Sequence, residues 1–494
     1  MRLRIEPEYL AVLGLIRAEC EPAKPLYIVG GAVRDILLDV PLHDIDFVMP
    51  ENPYTLAKRL AKRLGVGFFV LDDERHTARV VYEDQRGRVF PLDFVQYTGT
   101  NLTEDLHNRD FTMNAMAIPL DDLDQVIDPL DGRVDLEKGI LRACSPHALL
   151  DDPVRVLRGI RLAQQFNFTY APGLTRDMRI AAAQLPKTSF ERQRDEFFRI
   201  LSGPDPAEGL YECRRLGIFE TLLPPLVDLE TIPASPPHHL PLIEHTLQTV
   251  DHYHRLVTDL TSDHTLDDGI DGYRQQVKQQ LGKFSAALGA YFAEEITPGR
   301  WKVSLAYFGA LLHDVGKPLT VKDGEDGLVH FNNHAMVGGD LARKMAKRLQ
   351  LSNAESDWVE RLVLNHMHLL KLIAAASPPD RRTIYRFYKK SGETGVAIAM
   401  HTLADTLATY GSDLDQLRWV TTVSVVESMI SGWFEHREVI VSPSPLLDGH
   451  DLQRLFGVAP GKDIGRLLRQ LMEEQASGKV NTKEEAQEYV RRQL

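Results

Sequence analysis

The stretch LYIVGGAVRDILLDVPLHDIDFVM, residues 26–49, decides the fold of the N-terminal part of the chain. Its apolar start, LYIV, predicts a short strand that ends at Gly30 and Gly31, and residues 32–38 predict a helix. A second strand is expected at 45–49. Further along, the pattern predicts a helix over 51–64 and strands at 67–71, 77–83 and 89–95. The N-terminal part is therefore predicted to be a mixed α/β unit.

Two carboxylates stand on the second of these strands. Asp44 and Asp46 are two residues apart, so both emerge on one face of a strand while Ile45 and Phe47 point to the other. Carboxylates this close repel each other, and a divalent cation relieves the repulsion. Mg²⁺ prefers such oxygen ligands together with substrate phosphates. Asp93, on a later predicted strand, is a possible third carboxylate.

The glycine pair upstream of these acids suits a phosphate. Gly30 and Gly31 let the backbone approach an anion closely and offer amides near the start of the next helix. Arg34 lies one turn inside that helix, within reach of the same anion. A strand, a Gly-Gly turn, a helix and then the Asp-x-Asp pair are the arrangement required for two-metal nucleotidyl transfer.

The composition describes an ordinary globular protein that is not a nucleic-acid-coating one. The 494 residues suggest about three domains, and their net charge of −13 means that RNA would have to be held by a local basic surface. No apolar run approaches the roughly 20 residues of a membrane span, and MRLRIEPEYL has no apolar stretch long enough for a signal peptide, so neither feature is expected. Three scattered cysteines favour a reducing, cytoplasmic location.

Five motifs follow one another in a specific order. They are GGAVRD with HDIDFV, EDLHNRDFTMNAMA at 104–117, DPLDGRVDLEKGILR at 128–142, DDPVRVLRGIR at 151–161, and ERQRDE at 191–196. In this order they resemble the class II tRNA nucleotidyltransferase/poly(A) polymerase family. The resemblance covers about the first 220 residues, with weaker similarity beyond.

The resemblance implies a fold class and an activity. The expected fold is α+β: a polymerase-β-like nucleotidyltransferase head followed by an all-helical neck, an HD domain and a tail. The expected enzyme adds nucleotides from CTP and ATP to the tRNA 3′ end without a nucleic-acid template. Asp44 and Asp46 match the catalytic, Mg²⁺-binding aspartates. Residues matching the motif that contacts ribose and triphosphate are Arg109, Asp110 and Asn114, with Asn108 standing where the family has a further arginine.

Asp152 and Arg155 match the family motif that selects the base. They are three residues apart, and we expect them to be neighbours on one helix face. An acceptor beside a donor fork pairs with the amino group and ring nitrogen of C or A and rejects U and G. Arg158 continues the same spacing and is expected to support the triphosphate. The ERQRDE motif is expected to buttress this helix.

The range of nucleotides added stays open at this point. Full CCA addition, CC-only addition, A-only addition and poly(A) synthesis are all compatible with the motifs. The segment 71–87, LDDERHTARVVYEDQRG, lies where such enzymes carry a mobile loop and differs from the pattern of full CCA enzymes. The strand end FVQ lacks the expected basic residue. Both features favour a partial specificity.

A second set of candidate ligands lies in the C-terminal half. Histidines and aspartates follow the order H…HD…H…H…D and resemble the HD-domain metal phosphohydrolases. The expected ligands are His245, His313, Asp314 and Asp405, with His334 and His366 as possible ligands of a second metal. Imidazole and carboxylate donors suit transition metals. An alternative function of another class is therefore an HD phosphohydrolase with an RNA-binding N-terminal region.

The pattern beyond residue 150 is almost wholly helical. The proline-rich segment 231–241 is interpreted as a linker, and residues 258–300, which begin polar and irregular, as an elaborated loop between helices. The tail carries a basic edge that could contact tRNA. The sequence leaves the oligomeric state open. The predicted domains are a head over 1–147, a neck over 148–230, an HD domain over 231–441 and a helical tail over 442–494.

Overall fold

The computed structural model describes residues 5–21, 24–42, 44–73, 76–84, 87–262, 272–324, 329–375 and 378–494. The chain divides into two compact units, Met1–Thr188 and Ser189–Leu494. His43 of the HDIDFV motif lies outside the described residues, as do positions 74–75 and 85–86 of the expected mobile loop and 263–271 of the loop expected between helices. The division between the units falls inside the predicted neck.

The first unit is built on a six-stranded sheet. Its strands are β1 (Tyr27–Val29), β2 (Ile45–Met49), β3 (Phe68–Asp72), β4 (Thr77–Glu83), β5 (Val89–Gln96) and β6 (Ala117–Pro119). Their order across the sheet is β3-β4-β5-β2-β1-β6. Two further short strands, β7 (Ile140–Leu141) and β8 (Thr169–Tyr170), pair with each other. The strands predicted from sequence are all present, within one residue at each end.

Strand β2 occupies the middle of this sheet. It pairs antiparallel with β1 and parallel with β5. A parallel neighbour requires a crossover connection, which the intervening helix and the β3–β4 hairpin supply. Phe47 of β2 and Phe94 of β5 stack with ring centroids 5.0 Å apart, and both are fully buried. The apolar alternation of the two strands therefore buries one face and leaves their acids on the other.

The helices of the first unit are short and surround the sheet. They are α1 (Pro7–Glu19), α2 (Gly31–Leu38), α3 (Pro53–Leu64), α4 (Leu102–His107), α5 (Gly132–Lys138), α6 (Ala148–Asp151), α7 (Arg155–Phe166) and α8 (Leu174–Ala182). Helix α3 shows why these segments form where they do. A proline opens its first turn, Lys62 and Arg63 lie in its last turn, and Gly65 ends it in the left-handed region.

The second unit consists mainly of helices. They are α9 (Phe190–Leu201), α10 (Pro206–Arg215), α11 (Ile218–Leu222), α12 (Pro225–Asp228), α13 (Leu242–Thr261), α14 (Gly272–Leu281), α15 (Ser285–Phe292), α16 (Lys302–Leu312), α17 (His334–Arg348), α18 (Asn353–Asn365), α19 (Met367–Ala374), α20 (Arg381–Ser391), α21 (Thr394–Tyr410), α22 (Gln416–Phe434), α23 (Gly449–Phe456), α24 (Lys462–Ala476) and α25 (Lys483–Gln493).

Two small hairpins interrupt this helical pattern. They are formed by β9 (Glu295–Thr297) with β10 (Arg300–Trp301), and by β11 (Val321–Asp323) with β12 (Val329–Phe331). The sequence predicts helices throughout this region, and the hairpins are additional. Strands of two or three residues are too short to show an alternating pattern, so periodicity does not detect them.

Helix α21 forms the centre of the second unit. Its residues from Thr394 to Thr409 are all buried, and it contacts α13, α18 and α22. The tail helices α23 to α25 enclose a small apolar cluster of their own, which includes Leu452, Leu467 and Leu471. Within the described residues, we find no helix with the length and hydrophobicity needed to span a bilayer.

The proline-rich segment 231–241 differs from its interpretation as a linker. It returns to the central helix, because the backbone N–H of His239 donates to the carbonyl of Thr409 at 3.3 Å. The His239 ring contacts the same carbonyl at 3.1 Å. Prolines restrict the backbone but do not by themselves keep a segment away from the core. This segment is part of the second unit.

Candidate functional site

A glycine bend brings α2 next to the acidic strand. Gly30, at the start of α2, has a φ of 72° and a ψ of −139°, a combination that is essentially restricted to glycine. A Cβ atom at Gly30 would lie 3.2 Å from Arg109 Nη1 and 3.3 Å from Asp46 Oδ2. Both the backbone conformation and the close approach therefore require glycine at this position.

Two of the three predicted carboxylates, Asp46 and Asp93, share one face of the sheet. Asp46 of β2 is the register partner of Asp93 of β5 in the parallel ladder, and residues in register point to the same side. Asp44 lies just before β2 and is exposed, whereas Asp46 is half-buried. Burial, followed by the charges of Asp44 and Asp93, raises the pKa of Asp46 to about 6. Asp46 and Asp93, with Asp44 near enough for its charge to act on Asp46, offer the type of oxygen donor that a divalent cation prefers.

Arg79 neutralises the third carboxylate, and the sequence analysis missed it. Arg79 of β4 is the register partner of Asp93. Its Nε donates to Asp93 Oδ1 and its Nη2 to Asp93 Oδ2, each at 2.7 Å. This is the bidentate geometry in which an arginine binds a carboxylate most strongly. The alternation of β4 could have indicated that Arg79 faces the acids, but strand pairing is not visible in the sequence.

The residues of the NRDFTMN motif form one hydrogen-bonded network. Asp110 Oδ1 accepts from the backbone N–H of Phe111 at 2.7 Å and from Asn114 Nδ2 at 3.2 Å. Arg158 Nε lies 2.9 Å from Asp110 Oδ2. Burial alone would raise the pKa of Asp110, but Arg158 and these hydrogen bonds lower it overall. Asp110 is thus an ionised, buried anchor for Asn114 and Arg158.

Arg34 and Arg109, near the glycine bend, are each held by hydrogen bonds to a different side chain. Arg34 is buried, donates from Nη1 to Asn114 Oδ1 at 2.9 Å and lies over the ring of Phe166. It thereby orients Asn114, and its Nη2 lies 3.3 Å from where a Cβ of Gly31 would be. The predicted contact of Arg34 with the anion stays a prediction. Arg109 donates from Nε and Nη2 to Asp105 Oδ2 at 3.1 and 3.0 Å. Its remaining Nη1 lies beside the glycine bend.

The predicted base-reading pair differs from expectation in one respect. Helix α7 begins at Arg155, and Asp152 precedes it with an extended backbone. The two residues therefore do not share a helix face, because Pro153 favours an extended conformation at the residue before it. A turn still brings them together, with Arg155 Nε 3.9 Å from Asp152 Oδ2.

The guanidinium of Arg155 contacts backbone carbonyls. Its Nη1 donates to the carbonyls of Arg109 and Ala148 at 3.2 and 3.0 Å, and its Nη2 donates to that of Asn108 at 2.9 Å. Arg155 thereby connects α7 with the NRDFTMN motif. In this arrangement the Nε of Arg155 is the guanidinium nitrogen that faces the carboxylate of Asp152.

A histidine cluster forms a second site, in the second unit. The Nε2 atoms of His245 and His313 lie 3.2 Å apart, and those of His334 and His366 are also 3.2 Å apart. His313, His334 and His366 each direct Nδ1 to a backbone carbonyl, those of Ala310, Phe331 and Val363, at 2.6–2.7 Å. An imidazole whose Nδ1–H is donated presents the lone pair of Nε2. Burial lowers the pKa of His366 to about 3, so its ring is neutral.

Asp314 connects the two histidine pairs. Its Oδ2 lies 3.2 Å from His313 Nε2 and 3.7 Å from His245 Nε2. Its Oδ1 lies 3.5 Å from His334 Nε2 and 3.9 Å from His366 Nε2. Facing lone pairs repel unless a cation or a proton lies between them, so this donor set fits two metal ions that share a carboxylate.

The sixth predicted ligand, Asp405, lies beside the pair formed by His245 and His313. Asp405 Oδ1 is 3.2 Å from His245 Nε2 and 3.7 Å from His313 Nε2. Burial alone would raise its pKa, but the hydrogen bond with His245 and the neighbouring histidines hold that pKa well below its usual range. The structure therefore brings together all six residues predicted from the order of histidines and aspartates.

Two further histidines of this region, the half-buried His238 and the buried His401, escaped the sequence analysis. His238 lies in the proline-rich segment, its ring 4.4 Å from that of His245, and accepts from Lys317 Nζ at 2.9 Å. His401, one turn before Asp405 on α21, has its ring centroid 4.8 Å from that of His313. The spacing of His401 and Asp405 could have indicated a shared helix face. His238 had no such signal.

A cavity of about 470 Å³ opens beside the histidine cluster. Asp314, His334, His366 and Asp405 line it together with Lys317. Lys317 Nζ lies 2.5 Å from Asp314 Oδ2. A cavity of this size holds a small molecule next to the candidate ligands and next to the Lys317 ammonium group.

Three segments of the chain match described protein families. Residues 26–142 match the Poly A polymerase head domain, residues 167–229 match the probable RNA and SrmB-binding site of polymerase A, and residues 285–388 match the HD domain. The matched segments contain the carboxylate site and part of the histidine cluster.

Named proteins resemble the chain over nearly its whole length. It is 31% identical to an A-adding tRNA nucleotidyltransferase of Deinococcus radiodurans, covering 94% of each chain. It is also 31% identical to a CC-adding tRNA nucleotidyltransferase of Thermus thermophilus, covering 94% of this chain and 93% of that protein. A solved CCA-adding enzyme in an apo form has the same fold, with a TM-score of 0.63 at 20% identity over 99% of this chain and 95% of that chain.

Proposed function

The chain belongs to the tRNA nucleotidyltransferase/poly(A) polymerase family, and we propose on this premise that it transfers nucleotides from CTP or ATP to the 3′ end of tRNA. The observation that carries the proposal is the juxtaposition of Asp46 and Asp93 on one face of the central sheet, with Asp46 beside the bend at Gly30 and Asp44 just before the same strand. Acids in this position fit the family's reaction, in which the RNA 3′-hydroxyl attacks the α-phosphorus and pyrophosphate leaves.

Asp44 and Asp46 are proposed as the catalytic carboxylates that hold Mg²⁺. A bound divalent cation supplies charge neutralisation at the transferring phosphoryl group. The half-buried position of Asp46 keeps one oxygen directed at the bend, 3.3 Å from where a Cβ of Gly30 would be. Because Gly30 and Gly31 have no side chains, a triphosphate can approach the backbone at the start of α2.

The arginines around this site are proposed to bind and orient the nucleotide. Arg109 directs Nη1 towards the bend while Asp105 holds the rest of its guanidinium. Arg158 is fixed by Asp110, and Asn114 is fixed by Asp110 and Arg34. Each proposed contact is thus supported by a buried partner, which orients the group before the substrate arrives.

We propose that Asp152 is the main base-selecting acceptor and that Arg155 supports it. The carbonyl contacts of Arg155 at Asn108 and Ala148 favour a positioning role. Asp152→Ala should then weaken the preference for CTP and ATP over UTP and GTP by about tenfold, because the contact that rejects the wrong bases is lost. Incorporation of each labelled nucleotide measures this preference. An unchanged preference in the Asp152→Ala protein would overturn the proposed role.

A partial specificity is proposed for the addition. Both full-length relatives are named for adding A or CC, and the segment 71–87 differs from the pattern of full CCA enzymes. The test uses three tRNA transcripts, which end before the first C, after the second C, or with the complete CCA. Each is incubated with Mg²⁺ and labelled CTP or ATP. Extension of one incomplete transcript alone supports the proposal, and extension of both to CCA contradicts it.

The histidine cluster supports a second activity, a metal-dependent phosphohydrolase. The two Nε2 pairs on either side of Asp314 carry this proposal. A transition metal bound there would activate water and neutralise phosphate charge. Release of phosphate from a phosphomonoester in the presence of Mn²⁺ or Ni²⁺ tests it. Loss of this release in the Asp314→Asn protein is expected, and an unaffected Asp314→Asn protein would contradict it.

Location in the cytoplasm is part of the same proposal. Cys20, Cys144 and Cys213 are all free thiols. Burial raises the pKa of the Cys20 thiol to about 11 and the pKa of the other two further. Thiols kept in this unreactive, protonated form fit a reducing compartment.

A further inference from the structure

A pocket rich in arginine lies in the second unit, and neither proposed activity uses it. It has a volume of about 340 Å³ and is formed where α9 meets the β9–β10 hairpin. Its cationic lining residues are Arg194 and Arg199 of α9 and Arg300 of β10. The volume is in the range of pockets that hold small molecules.

Asp195 organises two of the three arginines of this pocket, Arg194 and Arg300. Asp195 accepts from Arg194 Nε at 2.9 Å and also pairs with Arg300. Arg194 Nη1 donates to the carbonyl of Gln350 at 2.8 Å, so these bonds use two of its five N–H donors. The residues that line the pocket include three arginines and one acid, Asp195, while Glu196 and Glu355 contact the arginines from outside the lining.

The third arginine is held between an aromatic ring and acids. The guanidinium of Arg300 lies over the ring of Phe198, 4.9 Å from its centroid. Its Nε is 4.0 Å from Glu355 Oε1 and makes no hydrogen bond within the part of the chain that is described. Its side chain is only 12% exposed. Arg300 is therefore fixed in place and partly removed from water, where its charge acts more strongly on an anion.

Arg199 stands at the open side of the pocket. Its side chain is 62% exposed and its Nη1 lies 3.3 Å from Glu196 Oε1. The single long contact leaves most of its donors directed to solvent. An anion entering the pocket would meet Arg199 first and Arg300 at its base.

An exposed tryptophan adjoins the arginines. Trp301 lines the pocket and is 39% exposed, whereas Trp358, Trp419 and Trp433 are at most 9% exposed. A flat aromatic side chain beside arginines is the combination with which proteins stack a base and bind its phosphate. A simple anion site or a site for an acidic peptide does not require the tryptophan.

We propose that this pocket binds a nucleotide, with the phosphate between Arg194, Arg199 and Arg300 and the base on Trp301. The nucleotide is either one unit of an RNA strand or a free nucleoside monophosphate, since both offer the same phosphate and base. The pocket shares no lining residue with the carboxylate site or the histidine cluster, and the proposal does not depend on either catalytic activity.

Tryptophan fluorescence tests the proposal directly, because Trp301 is the accessible one of the four tryptophans. The full-length protein is titrated with an adenylate hexamer, with AMP and with inorganic phosphate. We expect saturable quenching by the hexamer or by AMP and its loss in the Trp301→Phe protein. Tighter quenching by the hexamer identifies an RNA strand as the source, and equal affinity for AMP identifies a free nucleotide.

Charge variants complete the test. The double substitution Arg194→Gln with Arg199→Gln should lower the affinity for the ligand that quenches Trp301 at least tenfold. It should also reduce the dependence of that affinity on salt. The matched control is Arg437→Gln, since Arg437 is an exposed arginine that lies over another tryptophan, Trp433. Thermal unfolding confirms that each variant is folded.

Three results would overturn the proposal. They are the absence of quenching by both hexamer and AMP, an unchanged affinity in the Arg194/Arg199 variant, and a phosphate affinity equal to that for AMP. The last result would identify a plain anion site.

Discussion

At the scale of single residues, Asp46 carries a charge that destabilises the fold. It is half-buried next to Asp93, and burial followed by its neighbours raises its pKa to about 6. The pKa of an unfolded aspartate is about 3.9. Between these values the folded protein binds more protons than the unfolded one, so this group's contribution to stability falls as the pH rises through the interval. A bound cation would reverse the effect.

This shift predicts how metal binding depends on pH. Protons and cations compete for Asp46, so the affinity for Mn²⁺ should fall up to tenfold per pH unit below about pH 6 and level off above it. Isothermal titration with Mn²⁺ between pH 5 and pH 8 measures this, with the Asp46→Asn protein as reference so that binding at the histidine cluster is subtracted. A difference that stays constant from pH 5 to pH 7 would refute the assignment of Asp46 as a ligand.

Arg79 provides a second prediction for the same carboxylates. Its bidentate pair with Asp93 cancels one of three negative charges. Arg79→Gln should therefore strengthen Mn²⁺ binding about fivefold to tenfold, the effect of removing one positive charge a few ångströms from the cation. The matched control is Arg63→Gln, because Arg63 pairs with Glu19 on the surface at the same 2.7 Å. Weaker Mn²⁺ binding in the Arg79→Gln protein would show instead that Arg79 is needed to orient Asp93.

The residues of both sites could be predicted to different degrees. The acids at positions 44 and 46 were predicted from strand alternation together with the glycine pair and the order of the motifs, and the structure places Asp46 in register with Asp93. The pairing of Arg79 with Asp93 could not be predicted, because it depends on which strands become neighbours. His238 was missed for the same reason, since it reaches the histidine cluster through tertiary contacts of a proline-rich segment.

At the scale of elements, the connection from β1 to α2 is the most constrained feature of the first unit. Gly30→Ala places a Cβ where the backbone conformation disfavours any side chain, and within 3.3 Å of both Arg109 and Asp46. We expect a loss of about 1–3 kcal/mol of stability and a larger proportional loss of nucleotide incorporation. Thermal unfolding and primer extension measure the two effects.

Gly65→Ala is the control for this prediction. Gly65 also has a positive φ, but a Cβ there would meet nothing within 4 Å. The Gly65→Ala protein should lose stability without a specific loss of nucleotide incorporation. Equal effects of the two substitutions on incorporation would contradict a special role for the bend at Gly30.

The helices and strands predicted from sequence agree with the structure where the local pattern is strong and differ from it where the pattern is weak. Helix α2 and strands β2 and β4 agree with the sequence within one residue. Asp152 was expected on a helix with Arg155, but the proline between them makes α7 begin three residues later. The β9–β10 hairpin was not predicted, because its strands are too short to show periodicity.

At the scale of the whole molecule, the chain combines two chemistries with different donor sets. The first unit presents carboxylates, which suit Mg²⁺, and the second presents imidazoles around Asp314, which suit transition metals. Because the proposed sites share no residue, each should be separable by mutation.

Asp314→Asn tests this independence. The substitution removes the carboxylate that both histidine pairs face. Phosphate release with Mn²⁺ should therefore fall at least a hundredfold. Nucleotide incorporation with Mg²⁺ should stay within about twofold of the unmodified protein. A parallel loss of both activities, in a protein that circular dichroism shows to be folded, would contradict two separate sites.

The central claim is that Asp46 holds the cation for nucleotidyl transfer, and one measurement tests it most directly. Incorporation of labelled CTP and ATP into tRNA lacking its 3′ end is compared between the unmodified protein and Asp46→Asn. We expect incorporation to fall below detection while the melting temperature above pH 7 is equal or higher, because the substitution removes a destabilising charge. Substantial incorporation by a folded Asp46→Asn protein would contradict the account.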